Sequence, residues 1–147
     1  MLLMIGNQSE CFALTVDMNM NTYIPHNWVV VRINSQKTSS TFYKILAGWN
    51  GGLDGADEWR LNSGIVKCDI NPYNEDLLRF HGASGSVYLC SKLTYGLRSN
   101  NAYIFDNFQK KFGEKHFELM PEDTNWVEMD WGLQSVENKL IDSGDYT

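Results

Sequence analysis

The chain has 147 residues, 43% hydrophobic and 13% aromatic, with five Trp, three Pro and a formal net charge of −6. Such a length and composition describe a single domain over 1–147 with a real core, and exclude a disordered chain. Ten basic and nine acidic side chains fall within 1–113, whereas 114–147 carry nine acids against Lys115 and Lys139, so the body lacks the clustered basic charge of a non-specific nucleic-acid binder.

The opening MLLMIGNQSE has no basic residue, and its apolar run is too short for a secretory leader. No stretch approaches the ~20 apolar residues of a spanning helix. Cys11, Cys68 and Cys90 are odd in number, far apart and without a metal-type C-x-x-C. A reducing compartment is expected, hence a cytoplasmic protein that meets no membrane.

Residues 10–19, ECFALTVDMN, alternate loosely and are a candidate first strand. The β-branched run NWVVVRIN (27–34) predicts a strand, and QKTSS a polar turn. TFYKILAGW (41–49) predicts the next strand, with Tyr43, Ile45, Ala47 and Trp49 on one face and Phe42, Lys44 and Leu46 on the other. A Gly-rich loop spans 50–58, after which WRLNSGIVKCDI resumes in extended form. NPYNED reads as a turn, LLRFHG as a strand, ASGS as a tight connection and SVYLCSK as a returning strand, giving an antiparallel meander.

The period then changes. Ile104, Phe105, Phe108 and Phe112 fall at helical spacing within SNNAYIFDNFQKKFG, with Ser99, Asn100 or Asn101 to cap the start and Gly113 at the end. In the tail, Trp126, Met129, Leu133, Val136 and Leu140 step like a helix face, yet Val127, Met129 and Trp131 alternate and Gly132 interrupts. A strand or irregular piece before Gly132, a short helix after it and frayed last residues are expected. The fold class expected is α+β: a strongly bent antiparallel sheet of five or six strands, one amphipathic helix at about 100–112 and a short C-terminal helix.

Walker, G-x-G-x-x-G, H-E-x-x-H and G-x-S-x-G signatures are absent, and His26, His81 and His116 show no ligand spacing. Asp54, Asp57 and Glu58 crowd the 50–58 loop without the order of an EF-hand, so neither a metal nor a cofactor is expected. The loop is long enough to suggest a binding role. RLNSG and GASGSVY are two small-residue turns in one expected sheet, whose Ser hydroxyls and backbone N–H groups suit an anion. A ligand set follows: Trp49 and Trp59 to stack on a ring, Arg60, Asn62, Ser63, Ser84 and Ser86 to hold phosphate, and His81 beside the turn. Plain structural readings stand next to these: core packing for the Trp residues, a half-exposed strand position for His81, and a salt bridge from Arg60 to Asp57 or Glu58.

YKILAGWNGG, DEWRLNSGI, FHGASGSVYLCSK and YGL, from Tyr43 to about Leu97, resemble an uncharacterised family of small phage and prophage accessory proteins. The resemblance covers a little over a third of the chain. It implies a protein of the host cell cytosol that acts on the host. The first expectation is a binding inhibitor of a host protein or defence complex, anti-CRISPR-like, with Trp126, Glu128, Asp130 and Trp131 as its contacts. The alternative is a sponge for a nucleotide second messenger, in which a homo-oligomer is expected because such sites often form between subunits. A third reading is a small nucleotide hydrolase using His81 and a loop acid.

Overall fold

The computed structural model describes residues 21–51 and 56–132. The expected strand at 10–19, Cys11, Asp54, the helix after Gly132 and the frayed last residues lie outside them. The elements are β1 (Thr22–Tyr23), β2 (Asn27–Asn34), β3 (Thr41–Trp49), β4 (Glu58–Leu61), β5 (Ile65–Asn71), β6 (Asn74–Gly82), β7 (Val87–Ser91), α1 (Ala102–Phe112) and β8 (Phe117–Leu119).

The hairpin of β2 and β3 is the centre, paired antiparallel with Trp28 opposite Ala47 and Val30 opposite Ile45. Successive strand side chains point to opposite faces, so the unbroken run WVVV supplies apolar groups to both. On one face Trp28, Val30, Ile45 and Ala47 pack against Ile65, Cys68, Leu78, Phe80, Tyr88 and Cys90 of β5–β7. On the other, Val29, Val31, Ile33, Phe42 and Leu46 pack against Ile104, Phe105, Phe108 and Phe112 of α1 and against Phe117 of β8. The molecule is thus layered as sheet, sheet and helix.

Among the described residues the expected single bent sheet is instead two four-stranded sheets, ordered β4-β3-β2-β8 and β1-β7-β6-β5. The stretch WRLNSGIVKCDI is divided between them: Glu58–Leu61 pairs with β3, whereas Ile65–Asn71 pairs with β6. Gly64, at φ 132°, makes the break, because that backbone conformation is open mainly to glycine. Covering both faces of the hairpin demands a second layer, which a continued β4 would not supply. The meander β5–β6–β7 and the helix form as the sequence predicts. β1 adds a parallel pair to β7.

Of the two alternatives for the segment before Gly132, residues 121–132 take the irregular one, with turns at 122–123 and 126–128. Their two tryptophans insert into the space between the sheets. Trp126 lies 5.8 Å from Trp28 and 6.1 Å from Phe80, Trp131 lies 6.2 Å from Phe80 and 5.3 Å from Tyr43, and each is 5% exposed. No helix among the described residues is long and apolar enough to cross a membrane.

The N-terminus of α1 is tied to the central hairpin by fully buried asparagines. Asn100 Nδ2 donates to Asn27 Oδ1 at 2.7 Å and to Asn50 Oδ1 at 3.1 Å. Asn101 occupies the N-cap position, but its side chain instead receives Arg98 N–H at 2.8 Å and donates to the Leu46 carbonyl at 3.2 Å. Gly48 makes room for this network, since a Cβ there would overlap Asn100 Oδ1. Gly48→Ala is therefore expected to displace Asn100, strand buried polar groups and cost about 2–3 kcal/mol. Urea unfolding measures this; an unchanged midpoint would show that the network does not hold the helix.

Candidate functional site

β4 ends at Leu61 because the chain must leave the sheet, and Asn62 finishes the ladder for it. Its N–H donates to the Ile45 carbonyl at 3.0 Å and its Oδ1 accepts Ile45 N–H at 2.8 Å. At this corner a cavity of about 710 Å³ opens between the two sheets and the helix. Its floor is the Asn62–Ser63 crossing and the Ser84–Ser86 turn that joins β6 to β7. Tyr23 and Tyr88 form one wall, with rings stacked at 4.9 Å. Trp59, Phe108 and Lys111 form the other, with Trp59 edge-on to Phe108 at 6.3 Å.

Lys44, Arg60 and Lys111 line the cavity, and no carboxylate does among the described residues. Lys44 is buried on the helix-facing side of β3, its Nζ 5.8 Å from the Phe42 ring centre. The guanidinium of Arg60 lies over the Tyr23 ring at 4.6 Å, a cation–π arrangement. Arg60 makes no ion pair with Asp57 or Glu58, which settles the question its sequence neighbours raise; Asp57 instead accepts from Ser99 Oγ at 3.3 Å. Burial pushes the Tyr88 hydroxyl well above its ordinary range, against the opposing charge of Arg60.

The three serines form a chain. Ser63 Oγ accepts Ser84 N–H at 2.9 Å and donates to Ser84 Oγ at 3.0 Å, and Ser84 Oγ stands 3.3 Å from Ser86 Oγ. Asn62 is 3% exposed, yet among the described residues its Nδ2 has no hydrogen-bond partner. A buried donor left unsatisfied costs about 1–3 kcal/mol, so its presence at the cavity floor asks for a reason.

Six residues of the expected ligand set thus come together: Trp59, Arg60, Asn62, Ser63, Ser84 and Ser86. Two do not. Trp49 lines an adjoining cavity of about 520 Å³ beyond Arg60, its Nε1 donating to the Ile24 carbonyl at 3.0 Å. His81 projects from the outer face of its sheet, where Nε2 lies 3.1 Å from Asp69 Oδ2. Its acid partner is therefore a strand residue, not a loop acid. Of the expected partner contacts, Glu128 and Asp130 are exposed or partly so, but Trp126 and Trp131 belong to the core and present no anchor at the surface. Tyr23, Lys44, Tyr88, Phe108 and Lys111 are cavity residues that sequence reasoning missed. Lys44 alone had left a signal, as a lysine on a strand face shared with Phe42 and Leu46.

Among the described residues no three His, Cys, Asp or Glu converge to hold a metal ion. Cys68 and Cys90 are free and buried; desolvation, then the Asp69 charge, pushes the Cys68 thiol to about 12, and burial raises Cys90 well above its usual value. Neither is a thiolate at neutral pH.

Set against family models, characterised proteins and solved structures, the chain matches none. The reading of the cavity rests on its own geometry.

The Asp69 cluster has a pH signature. Desolvation raises the Asp69 carboxyl, but Arg79, whose Nε donates to Oδ1 at 2.7 Å, and then His81 outweigh it and hold it below the ordinary carboxylate range. A depressed folded-state value contributes stability that is present above the unfolded value and lost as pH falls through the folded one. Asp69→Asn is expected to cost about 1 kcal/mol at pH 7, a figure kept low for the partly exposed pair, and progressively less on acidification to pH 2. Urea midpoints at the two pH values check it; an equal loss at both would assign Asp69 a packing role instead.

Proposed function

We propose that the protein binds a small anionic molecule carrying a flat ring, of the nucleotide class, in the cavity between its two sheets and α1. One observation carries this reading: in a chain of net charge −6, the cavity gathers Lys44, Arg60 and Lys111 and no carboxylate among the described residues. Converging cations of this kind favour phosphate, and Arg adds a fork that matches its geometry. The volume, about 710 Å³, lies within the range of small-molecule sites. Trp59, an exposed ring at the cavity wall, offers a face on which a base stacks.

Binding rather than turnover is the reading because the described lining holds serine hydroxyls but no His or carboxylate to activate them. The resemblance to phage accessory proteins supplies a use for such a site: withholding a nucleotide signal of the host cell. The competing expectation, inhibition of a host protein through Trp126, Glu128, Asp130 and Trp131, has lost both aromatic anchors to the core.

Thermal unfolding against a panel of nucleoside phosphates and cyclic nucleotides tests the proposal. A ligand that binds only the folded state, at a hundredfold excess over its Kd, adds about 2.7 kcal/mol and raises Tm by several degrees. Arg60→Ala, at an exposed position, is expected to leave the unliganded Tm within about a degree and to weaken binding at least tenfold, with the wild-type affinity falling as salt rises. No shift with any member of the panel overturns the reading.

A further inference from the structure

We propose that the adjoining cavity beyond Arg60 reads the base of the bound nucleotide, and that Glu58 there selects guanine; this rests on the nucleotide reading above. The two cavities share walls, since Tyr23, Trp59 and Arg60 line both. A ring lying on Trp59 therefore borders both. Their charges differ. Among the described residues the first holds Lys44 and Lys111 with no carboxylate, and the second holds Glu58 with no lysine or arginine beyond the shared Arg60. A phosphate is drawn to the first and repelled by the acid of the second. A nucleotide spanning Arg60 is thus oriented, with its phosphate toward the lysines and its base toward Glu58.

Strand β4 sets this order. Glu58 and Arg60 stand two residues apart, so their side chains leave the strand on one face about 6–7 Å from each other. They make no ion pair together. The register places Trp49 opposite Glu58 and Ala47 opposite Arg60, so an indole stands beside the carboxylate. The Glu58 carboxylate has no ion-pair partner among the described residues. His26 brings a donor to the same cavity. Its Nδ1 accepts Asn50 N–H at 2.7 Å, which puts the ring proton on Nε2.

A carboxylate offers two acceptors side by side and no donor. Guanine presents two adjacent donors on one edge, N1–H and the 2-amino group, with the acceptor O6 next to them. Two parallel N–H···O bonds to Glu58 and one from His26 Nε2–H to O6 use that whole edge. Adenine presents a single donor group on the same edge, its 6-amino group, beside the acceptor N1. The N1 lone pair faces the carboxylate, and the amino group faces the histidine proton. A bidentate pair of this kind separates right from wrong bases by about tenfold or more.

Calorimetric titration at fixed ionic strength with guanosine, inosine and adenosine 5′-monophosphates tests the proposal, because inosine keeps O6 and N1–H and lacks the 2-amino group. Guanosine monophosphate is expected to bind about tenfold or more tighter than adenosine monophosphate, with inosine monophosphate between them. Glu58→Gln keeps the size of the side chain and replaces one acceptor by a donor. It is expected to bring the guanine-to-adenine affinity ratio to within about twofold of one. Glu58 is exposed at the start of β4, so the unliganded Tm is expected to stay within about a degree of wild type. Equal affinity of the wild type for the guanosine and adenosine monophosphates overturns the proposal while leaving the cavity reading intact. So does a guanine preference that survives in Glu58→Gln. Failure of all three to bind overturns it as well, and the cavity reading falls with it only if the wider panel gives no shift.

Discussion

Val29, Val31 and Leu46 project from one face of the β2–β3 hairpin while Trp28, Val30 and Ile45 project from the other, and all six are fully buried. A hairpin apolar on both faces must be covered twice. The second sheet covers one side, and α1 with β8 covers the other. The remaining architecture follows from the connections this requires. The chain can supply the second sheet only by leaving the first, so β4 stops after four residues and crosses at Asn62–Gly64. Among the described residues that crossing leaves no strand on the outer edge of β3 before Ile45, and the cavity opens at this corner. The cavity is thus a consequence of the layering.

Crossing between layers breaks a hydrogen-bond ladder, and buried backbone groups need partners wherever that happens. The sequence meets the need with asparagine, whose amide imitates a peptide unit. Asn62 supplies one acceptor to Ile45 and leaves one donor over. At the far end of β3, Asn27, Asn100 and Asn101 close the gap between the hairpin and the helix with mutual bonds. The two solutions differ in a telling way. The second network uses its amides fully and excludes a side chain at Gly48, so it serves the fold. The first leaves a donor over, and it does so in a cavity lined by cations.

Much of this was legible in the sequence. The strands at 27–34 and 41–49, the meander and the helix each carry a local signal, namely a β-branched run, an alternation, turn residues and a 3.6 period. The division into two sheets does not, because Trp59 to Ile70 is apolar enough to read as one extended stretch and only Gly64 marks the change. Six cavity residues were found because RLNSG and GASGSVY are small-residue turns and the meander brings turns of one end together. The aromatic and cationic walls were missed because Tyr23, Tyr88, Phe108 and Lys111 come from elements that meet only through packing between layers. Trp126 and Trp131 misled for the converse reason: a turn-rich acidic segment reads as surface, yet its two rings fill the space between the sheets.

The same lesson applies to charge. The acid excess behind the net value of −6 lies in 114–147, where nine acids stand against two lysines, and within 1–113 the two signs nearly balance. Charges separated by more than about 8–10 Å of salt solution are largely screened from one another, so the sum says little about a site that a ligand touches directly. The field inside the cavity is set by its lining, where Lys44 is buried at 3% exposure. A hairpin that must be covered on both faces places that lysine under the helix, and the strand that stops short leaves it lining an open cavity. Among the described residues the lining carries Lys44, Arg60 and Lys111 and no carboxylate, a local balance opposite in sign to the chain as a whole that follows from the layering of the fold.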